Sequence, residues 1–172
     1  RGNSVEQNAA MRALGVHLIG HGDDCAEASD RAAQRAEARR ALRVPSFHAD
    51  RVGGVATYWW EFLKAVPQLD VAYVPIGLGS GACAAIAAKL ALGHKARIVG
   101  VASRHATTYA DSLAAGRVVE APVSTQIADG MAVRRADAAA LQGRSNLRGQ
   151  CVGIALTGAN VDASVFAEVL GR

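Results

Sequence analysis

Short apolar runs alternate with longer helical patterns through the middle and the end of the chain. The pattern predicts strands over 70–76, 96–102 and 151–156. It predicts helices over 82–92, 105–115 and 162–170. Mostly apolar strands that alternate with helices are typical of β-α-β units, in which helices cover both faces of a parallel sheet. We therefore predict an α/β fold with an open, mostly parallel sheet and flanking helices.

The first third of the chain also carries helix start signals. Ser4 and Asp24 stand as N-caps of helices that end near residues 14 and 42. A further helix is predicted over 52–66, where tryptophan and phenylalanine supply bulk. Two short segments, 16–19 and 44–47, are predicted to be extended.

The glycine loop, residues 77–81, is the most informative segment. It consists of Gly77, Leu78, Gly79, Ser80 and Gly81, between a predicted strand and a predicted helix. Glycine lets the backbone approach a ligand closely, and the N–H groups at a helix N-terminus attract phosphate. The serine can add a hydroxyl donor. The loop therefore predicts a phosphorylated ligand, with a tight turn that binds nothing as the alternative.

Two positions argue against a dinucleotide as that ligand. A dinucleotide-binding turn needs glycine where this chain has Ala82. It also needs an acidic residue near the end of the next strand, where this chain has Ala102. A second candidate loop begins at Thr157, after the last predicted strand, where open α/β sheets bind ligands.

Composition and charge exclude several function classes. The chain has 172 residues, 51% apolar and 20% charged, which suits one domain with its own core. Its net charge of +4 is mild, and no basic tract is interleaved with aromatics, so we expect no nucleic-acid partner. Neither a signal core nor an apolar stretch of membrane length is present, so we expect no membrane partner and a cytoplasmic location.

The cysteines and histidines add no site. Cys25, Cys83 and Cys151 are far apart, which is typical of a reducing compartment and of cysteines that pack as small buried apolar residues. His17, His21 and Cys25 have the spacing of a metal-binding helix face, but the glycines among them exclude such a helix. We therefore predict no metal site.

Taken together, several segments resemble the threonine/serine dehydratases, fold-type-II enzymes that depend on pyridoxal phosphate. The segments are PIGLGSG (75–81), IVGV (98–101), IADGMAV (127–133) and LTGANVD (156–162). They occur in the order and context that the family has. Residues 45–57 are similar to a further family passage that precedes the first of them.

The resemblance implies a cofactor, a reaction and site residues. In that family the glycine loop binds the cofactor phosphate, which here falls on Gly77, Leu78, Gly79, Ser80 and Gly81. A hydroxyl contacts the pyridine nitrogen, and Thr157 occupies that position. The family reaction dehydrates a β-hydroxy amino acid such as threonine or serine to a 2-oxo acid and ammonia. A small-molecule amino-acid substrate and a homo-oligomer are further implications.

Important parts of the family pattern have no counterpart here. The Schiff-base lysine lies in an S-F-K-x-R-G motif that this chain lacks, and Lys64, Lys89 and Lys95 stand in helical or helix-ending contexts typical of solvated side chains. The substrate loop S-x-G-N-H is also missing. Ala102 replaces the glutamate of members that bind a divalent metal. We therefore assign no catalytic residue and no metal ligand.

The resemblance also divides the chain. It predicts a remnant of the small domain over 1–50 and the large cofactor domain over 51–172, with a possible deletion junction near 143–149. The fold is then an incomplete member of the tryptophan-synthase-β-like class. Three hypotheses stay open: an incomplete dehydratase, a non-catalytic relic or subunit that borrows its lysine, and an unrelated phosphate- or nucleotide-binding α/β module.

Overall fold

The computed structural model describes residues 4–124, 129–136 and 163–170 of the chain. Its helices are α1 Val5–Ala13, α2 Cys25–Arg39, α3 Ala49–Ala65, α4 Ser80–Leu92, α5 Thr108–Ala115 and α6 Ala163–Leu170. Its strands are β1 Val71–Pro75 and β2 Arg97–Val101, and a 3₁₀ turn covers Asp129–Met131. None of the helices in the described ranges is long and apolar enough to cross a membrane.

The two strands form a parallel pair connected by α4, as the alternating pattern predicts. Val71 lies opposite Arg97, and Pro75 lies opposite Val101. The carbonyl of Val101 also accepts a hydrogen bond from the N–H of Ile76 at 2.8 Å, so pairing continues one residue beyond β1. Because the strands are parallel, the segments that leave β1 and β2 emerge at the same edge of the sheet.

Side-chain caps fix the starts of the first three helices. The Ser4 hydroxyl accepts from the N–H of Gln7 at 3.0 Å, and the Asp24 carboxylate accepts from the N–H of Glu27 at 2.9 Å. The His48 ring accepts from the N–H of Asp50 at 3.2 Å. This ring explains why α3 begins at Ala49, three residues before the predicted start.

The main core lies between α3, α4 and the two strands. Trp59 and Leu63 of α3 are each only 1% exposed. They belong to one buried cluster with Ala84 and Ala85 of α4, Ile98 of β2 and neighbouring side chains. The small alanine side chains of α4 leave room for the large ones of α3, which explains why an alanine-rich helix can occupy the centre of this core.

A second, smaller cluster joins α5 to the segment 129–136. Tyr109, Val133 and Ala136 are buried there, and Ile76 and Leu78 pack against them. The cluster therefore connects the end of β1 and the glycine loop to parts of the chain that come much later in sequence.

The structure contradicts two sequence predictions. Residues 16–19 and 44–47 form no strand, because neither has a hydrogen-bonded strand beside it among the described residues. Cys25 is exposed rather than buried, since it begins α2 on the surface, and Cys83 is only half-buried. The final helix over 163–170 agrees with its prediction. The predicted strand 151–156 lies outside the described residues.

Candidate functional site

The glycine loop leaves β1 at the carboxyl edge of the sheet and leads directly into α4. Gly79 is the N-cap of α4, with φ 93° and ψ −8°, a left-handed conformation that glycine adopts without strain. It is buried, whereas its neighbours Leu78 and Ser80 are half-buried. The predicted arrangement of strand, glycine loop and helix N-terminus is therefore present.

The start of α4 leaves backbone donors available. The first N–H groups of an α-helix have no partner within the helix. The N-cap side chains of α1, α2 and α3 accept from backbone N–H groups, whereas Gly79 of α4 has no side chain to do so and Thr107 of α5 makes no such bond. These N–H groups and the positive end of the helix dipole suit an anion such as phosphate.

Gly77 is confined by packing against the 3₁₀ turn. A Cβ atom built on Gly77 would lie 2.1 Å from the carbonyl oxygen of Gly130, a distance that real contacts do not reach. At Gly81, by contrast, a Cβ would meet only Val74 Cγ1, at an ordinary 3.7 Å. The two glycines of the same loop thus have different physical roles, and only Gly77 requires the absence of a side chain for packing.

Tyr109 contacts the same loop from α5. Its side chain is 6% exposed, and its hydroxyl donates a hydrogen bond of 2.7 Å to the carbonyl oxygen of Leu78. The sequence pattern predicts a helix over 105–115 but indicates no role for this tyrosine. No local pattern marks it, because its partner lies on another element. Gly130, although it falls inside the quoted 127–133 motif, was likewise not expected to contact the loop.

A network of ion pairs connects α2 to the segment that supports the loop. Arg134 contacts Asp24 and Glu120, each at 2.5 Å, and Arg135 contacts Asp30 at 3.0 Å. The hydrogen bond from Arg134, and after it the one from the N–H of Glu27, hold the pKa of Asp24 below its ordinary value. Both arginines are therefore compensated by carboxylates and offer little free charge for an anionic ligand.

A cleft of about 190 Å³ adjoins the glycine loop at Leu78. Its other walls are the start of α2, the segment 43–47 and the segment 133–136. Arg43 lines this cleft and donates to the Ser29 hydroxyl at 2.8 Å. The cleft is large enough for a small molecule beside the loop.

No lysine reaches the loop. Lys64 lies in the last turn of α3, which leads to the start of β1, and Lys95 lies just before the start of β2. Both exposed lysines are therefore near the amino edge of the sheet, opposite the loop. Lys89 lies in the last turn of α4, about 13 Å along the helix axis from Ser80 at about 1.5 Å per residue. The loop thus fits the phosphate of a cofactor such as pyridoxal phosphate, but none of the three lysines, all within the described ranges, lies beside it.

Thr157, the remaining predicted site residue, lies outside the described residues, and its role stays a prediction. No cluster of histidine, cysteine and acidic side chains within 4–124, 129–136 or 163–170 has the grouping of a metal site. His48 and His94 hydrogen-bond backbone N–H groups at the ends of elements, as expected of isolated histidines.

Comparison with known proteins identifies the family to which this arrangement corresponds. The family model described as "Pyridoxal-phosphate dependent enzyme" matches residues 1–159. L-threonine ammonia-lyase of Geobacter sulfurreducens is 36% identical over 128 residues, which are 73% of this chain and 32% of that protein. Serine racemase of Oryza sativa is 34% identical over 126 residues, 70% of this chain and 36% of that protein.

Solved structures agree with the sequence matches on the fold. The processed form of threonine deaminase isoform 2 from Solanum lycopersicum superposes with a TM-score of 0.73 at 22% identity. That match covers 84% of this chain and 43% of the other. The chain thus spans about a third of the curated relatives and less than half of this solved chain. The family resemblance, the fold class and the cofactor predicted from the motifs are confirmed.

Proposed function

This chain belongs to the family of pyridoxal-phosphate dependent enzymes, and on that premise we propose that its glycine loop binds the cofactor phosphate. The observation that carries the proposal is the start of α4, where the buried Gly79 leaves the first N–H groups without a side-chain cap. Residues 77–81 contribute backbone N–H groups, with the Ser80 hydroxyl as a further donor. By the family resemblance, the Thr157 hydroxyl would hold the pyridine nitrogen of the bound cofactor.

The proposed reaction is the dehydration and deamination of a β-hydroxy amino acid such as threonine or serine to a 2-oxo acid and ammonia. It rests on the 36% identity to L-threonine ammonia-lyase. Racemisation of serine is a second candidate, because serine racemase of rice is 34% identical over nearly the same length. When bound, pyridoxal phosphate supplies the electron sink that stabilises a carbanion at the amino-acid α-carbon, which both reactions require.

The missing amine limits what residues 1–172 do alone. A Schiff base needs a lysine held at the cofactor aldehyde, and Lys64, Lys89 and Lys95 are placed elsewhere. We propose that this chain binds the cofactor without covalent attachment, and that turnover requires an amine from another polypeptide segment or subunit. A non-catalytic module for phosphate or nucleotides is the alternative.

The domain division also stays a proposal. Residues 51–172 carry the glycine loop and its supports, and residues 1–50 carry α1 and α2. The pairs Asp24–Arg134 and Asp30–Arg135 join the two parts. In this division the pairs hold the remnant of the small domain against the cofactor domain.

The decisive experiment compares the same substitution at the two ends of α4. Gly79 and Gly93 both have positive φ, 93° and 61°, so an aspartate introduces backbone strain at either position. Only Gly79→Asp places a carboxylate in the proposed phosphate site. We expect phosphate-competed binding of pyridoxal phosphate, measured by equilibrium dialysis, to weaken at least about tenfold in Gly79→Asp. Binding in Gly93→Asp should stay within about twofold of the unsubstituted chain.

Equal affinity of the two variants would remove the glycine loop from the site. Binding of a nucleotide without binding of pyridoxal phosphate would instead favour the non-catalytic module. Borohydride treatment of the loaded chain tests the amine separately. We expect no covalent lysine adduct and no 2-oxo acid from L-threonine or L-serine above a protein-free control. A single labelled lysine would contradict the proposed absence of a Schiff-base residue.

A further inference from the structure

We propose that Tyr109 is a positioning residue that sets the direction of the Gly79 N–H in the glycine loop. The role of that N–H as a phosphate donor rests on the proposed function. The orientation of the N–H by Tyr109 does not depend on that function. It depends on the hydrogen bond of 2.7 Å that the Tyr109 hydroxyl donates to the Leu78 carbonyl oxygen.

The planarity of the peptide bond converts this contact into control of a donor. The Leu78 carbonyl and the Gly79 N–H belong to the same peptide unit. In a trans peptide these two groups point in opposite directions and rotate together. A carbonyl held towards α5 by Tyr109 therefore holds the Gly79 N–H away from α5.

The loop needs such a restraint because glycine resists rotation of a neighbouring peptide plane only weakly. A flip of the Leu78–Gly79 peptide changes the φ of Gly79, and glycine tolerates both positive and negative φ. The observed φ of 93° corresponds to one of the two orientations. The hydroxyl contact stabilises that orientation, because a phenol hydroxyl donates to a carbonyl more strongly than its oxygen accepts from the N–H that a flipped peptide would present.

Tyr109 can act in this way because α5 is itself anchored. Ser112, which is fully buried, accepts from the N–H of Val119 at 3.0 Å. The tyrosine ring is buried in the cluster with Val133. Its hydroxyl is thus a fixed point relative to which the loop is oriented.

The test removes one hydroxyl from each of two neighbouring buried residues. Tyr109→Phe deletes the bond to the loop and keeps the ring. Thr108→Val deletes a comparable bond, 2.6 Å from the buried Thr108 hydroxyl to the Val133 carbonyl oxygen, which is not in the loop. We expect Tyr109→Phe to weaken binding of pyridoxal phosphate and of inorganic phosphate by about two- to tenfold, the range for one neutral hydrogen bond. Thr108→Val should lower thermal stability to a similar degree and change affinity less than about twofold.

A spectroscopic readout separates orientation of the peptide from general stability. In ligand-free protein, the Leu78 carbonyl ¹³C and Gly79 amide ¹⁵N NMR signals should shift in Tyr109→Phe and stay in place in Thr108→Val. Unchanged signals together with unchanged affinity in Tyr109→Phe would overturn the inference, as would equal loss of affinity in both variants. If the unsubstituted chain binds neither ligand, the proposed function fails. The NMR shifts then decide the role of Tyr109 independently.

Discussion

Substitution of Gly77 by alanine tests whether packing against the 3₁₀ turn shapes the glycine loop. The new Cβ would lie 2.1 Å from the Gly130 carbonyl oxygen, so either the loop or the turn must move by more than 1 Å to reach ordinary contact. Both neighbours are backbone, which cannot rotate away as a flexible side chain could. Overpacking of this kind costs about 1–3 kcal/mol.

The matched control lies in the same loop. Gly81→Ala adds the same methyl group, but its Cβ meets Val74 Cγ1 at 3.7 Å and sits in the first turn of α4. Alanine there is neutral or stabilising by up to about 1 kcal/mol, because it reduces the freedom of the unfolded chain. Gly53→Ala in α3, where no atom lies within 4 Å, controls for the effect of alanine in a helix.

Thermal unfolding followed by circular dichroism measures the difference. For a chain of this length, about 1 kcal/mol corresponds to about 2–4 °C in Tm. We expect Gly77→Ala to unfold about 4–8 °C below the unsubstituted chain, for a cost of about 2 kcal/mol. Gly81→Ala and Gly53→Ala should unfold at or above the unsubstituted Tm. If Gly77→Ala unfolds together with Gly81→Ala, the close approach to Gly130 does not constrain the loop.

Two further predictions concern the core and the ion pairs. Leu63→Ala removes a side chain that is 1% exposed and should lower the free energy of unfolding by about 2–5 kcal/mol in urea titrations; a loss below 1 kcal/mol would contradict its place in the core. The lowered pKa of Asp24 means that its stabilising effect is full above the ordinary value of 3.8 and is lost as pH falls through the lowered pKa. Asp24→Asn, which keeps an N-cap side chain, should therefore lower Tm near pH 6, and the difference should shrink as pH falls below 3.8. A difference independent of pH would exclude the carboxylate charge as its cause.

Local patterns were sufficient for much of the fold. The strands and helices around the glycine loop were predicted within a few residues. The spacing of apolar residues and the capping side chains both belong to a single element, so a local pattern is enough to predict it. Helix α3 began earlier than expected because the His48 ring caps it, which the apolar pattern does not reveal. The segments 16–19 and 44–47 were wrong as strands, because a strand depends on a neighbour that a local pattern cannot provide.

The sequence by itself determined the chemistry available to this protein. It located the glycine loop, identified the cofactor family through ordered motifs, and showed no S-F-K-x-R-G motif within residues 1–172. Those conclusions depend on which residues are present and in what order. The sequence does not give the distance between an amine and the loop. Only the structure places Lys89 at the far end of α4 from the loop.

Only the tertiary structure decided what holds the loop in shape. The Gly77–Gly130 approach and the Tyr109–Leu78 hydrogen bond each join residues that are distant in sequence. No periodic or motif signal predicts either contact, because such contacts arise from the packing of α5 and the 129–136 segment against the end of β1. The direction of a backbone N–H is not encoded by the side chain of its own residue. It is fixed by neighbouring residues that only folding brings together.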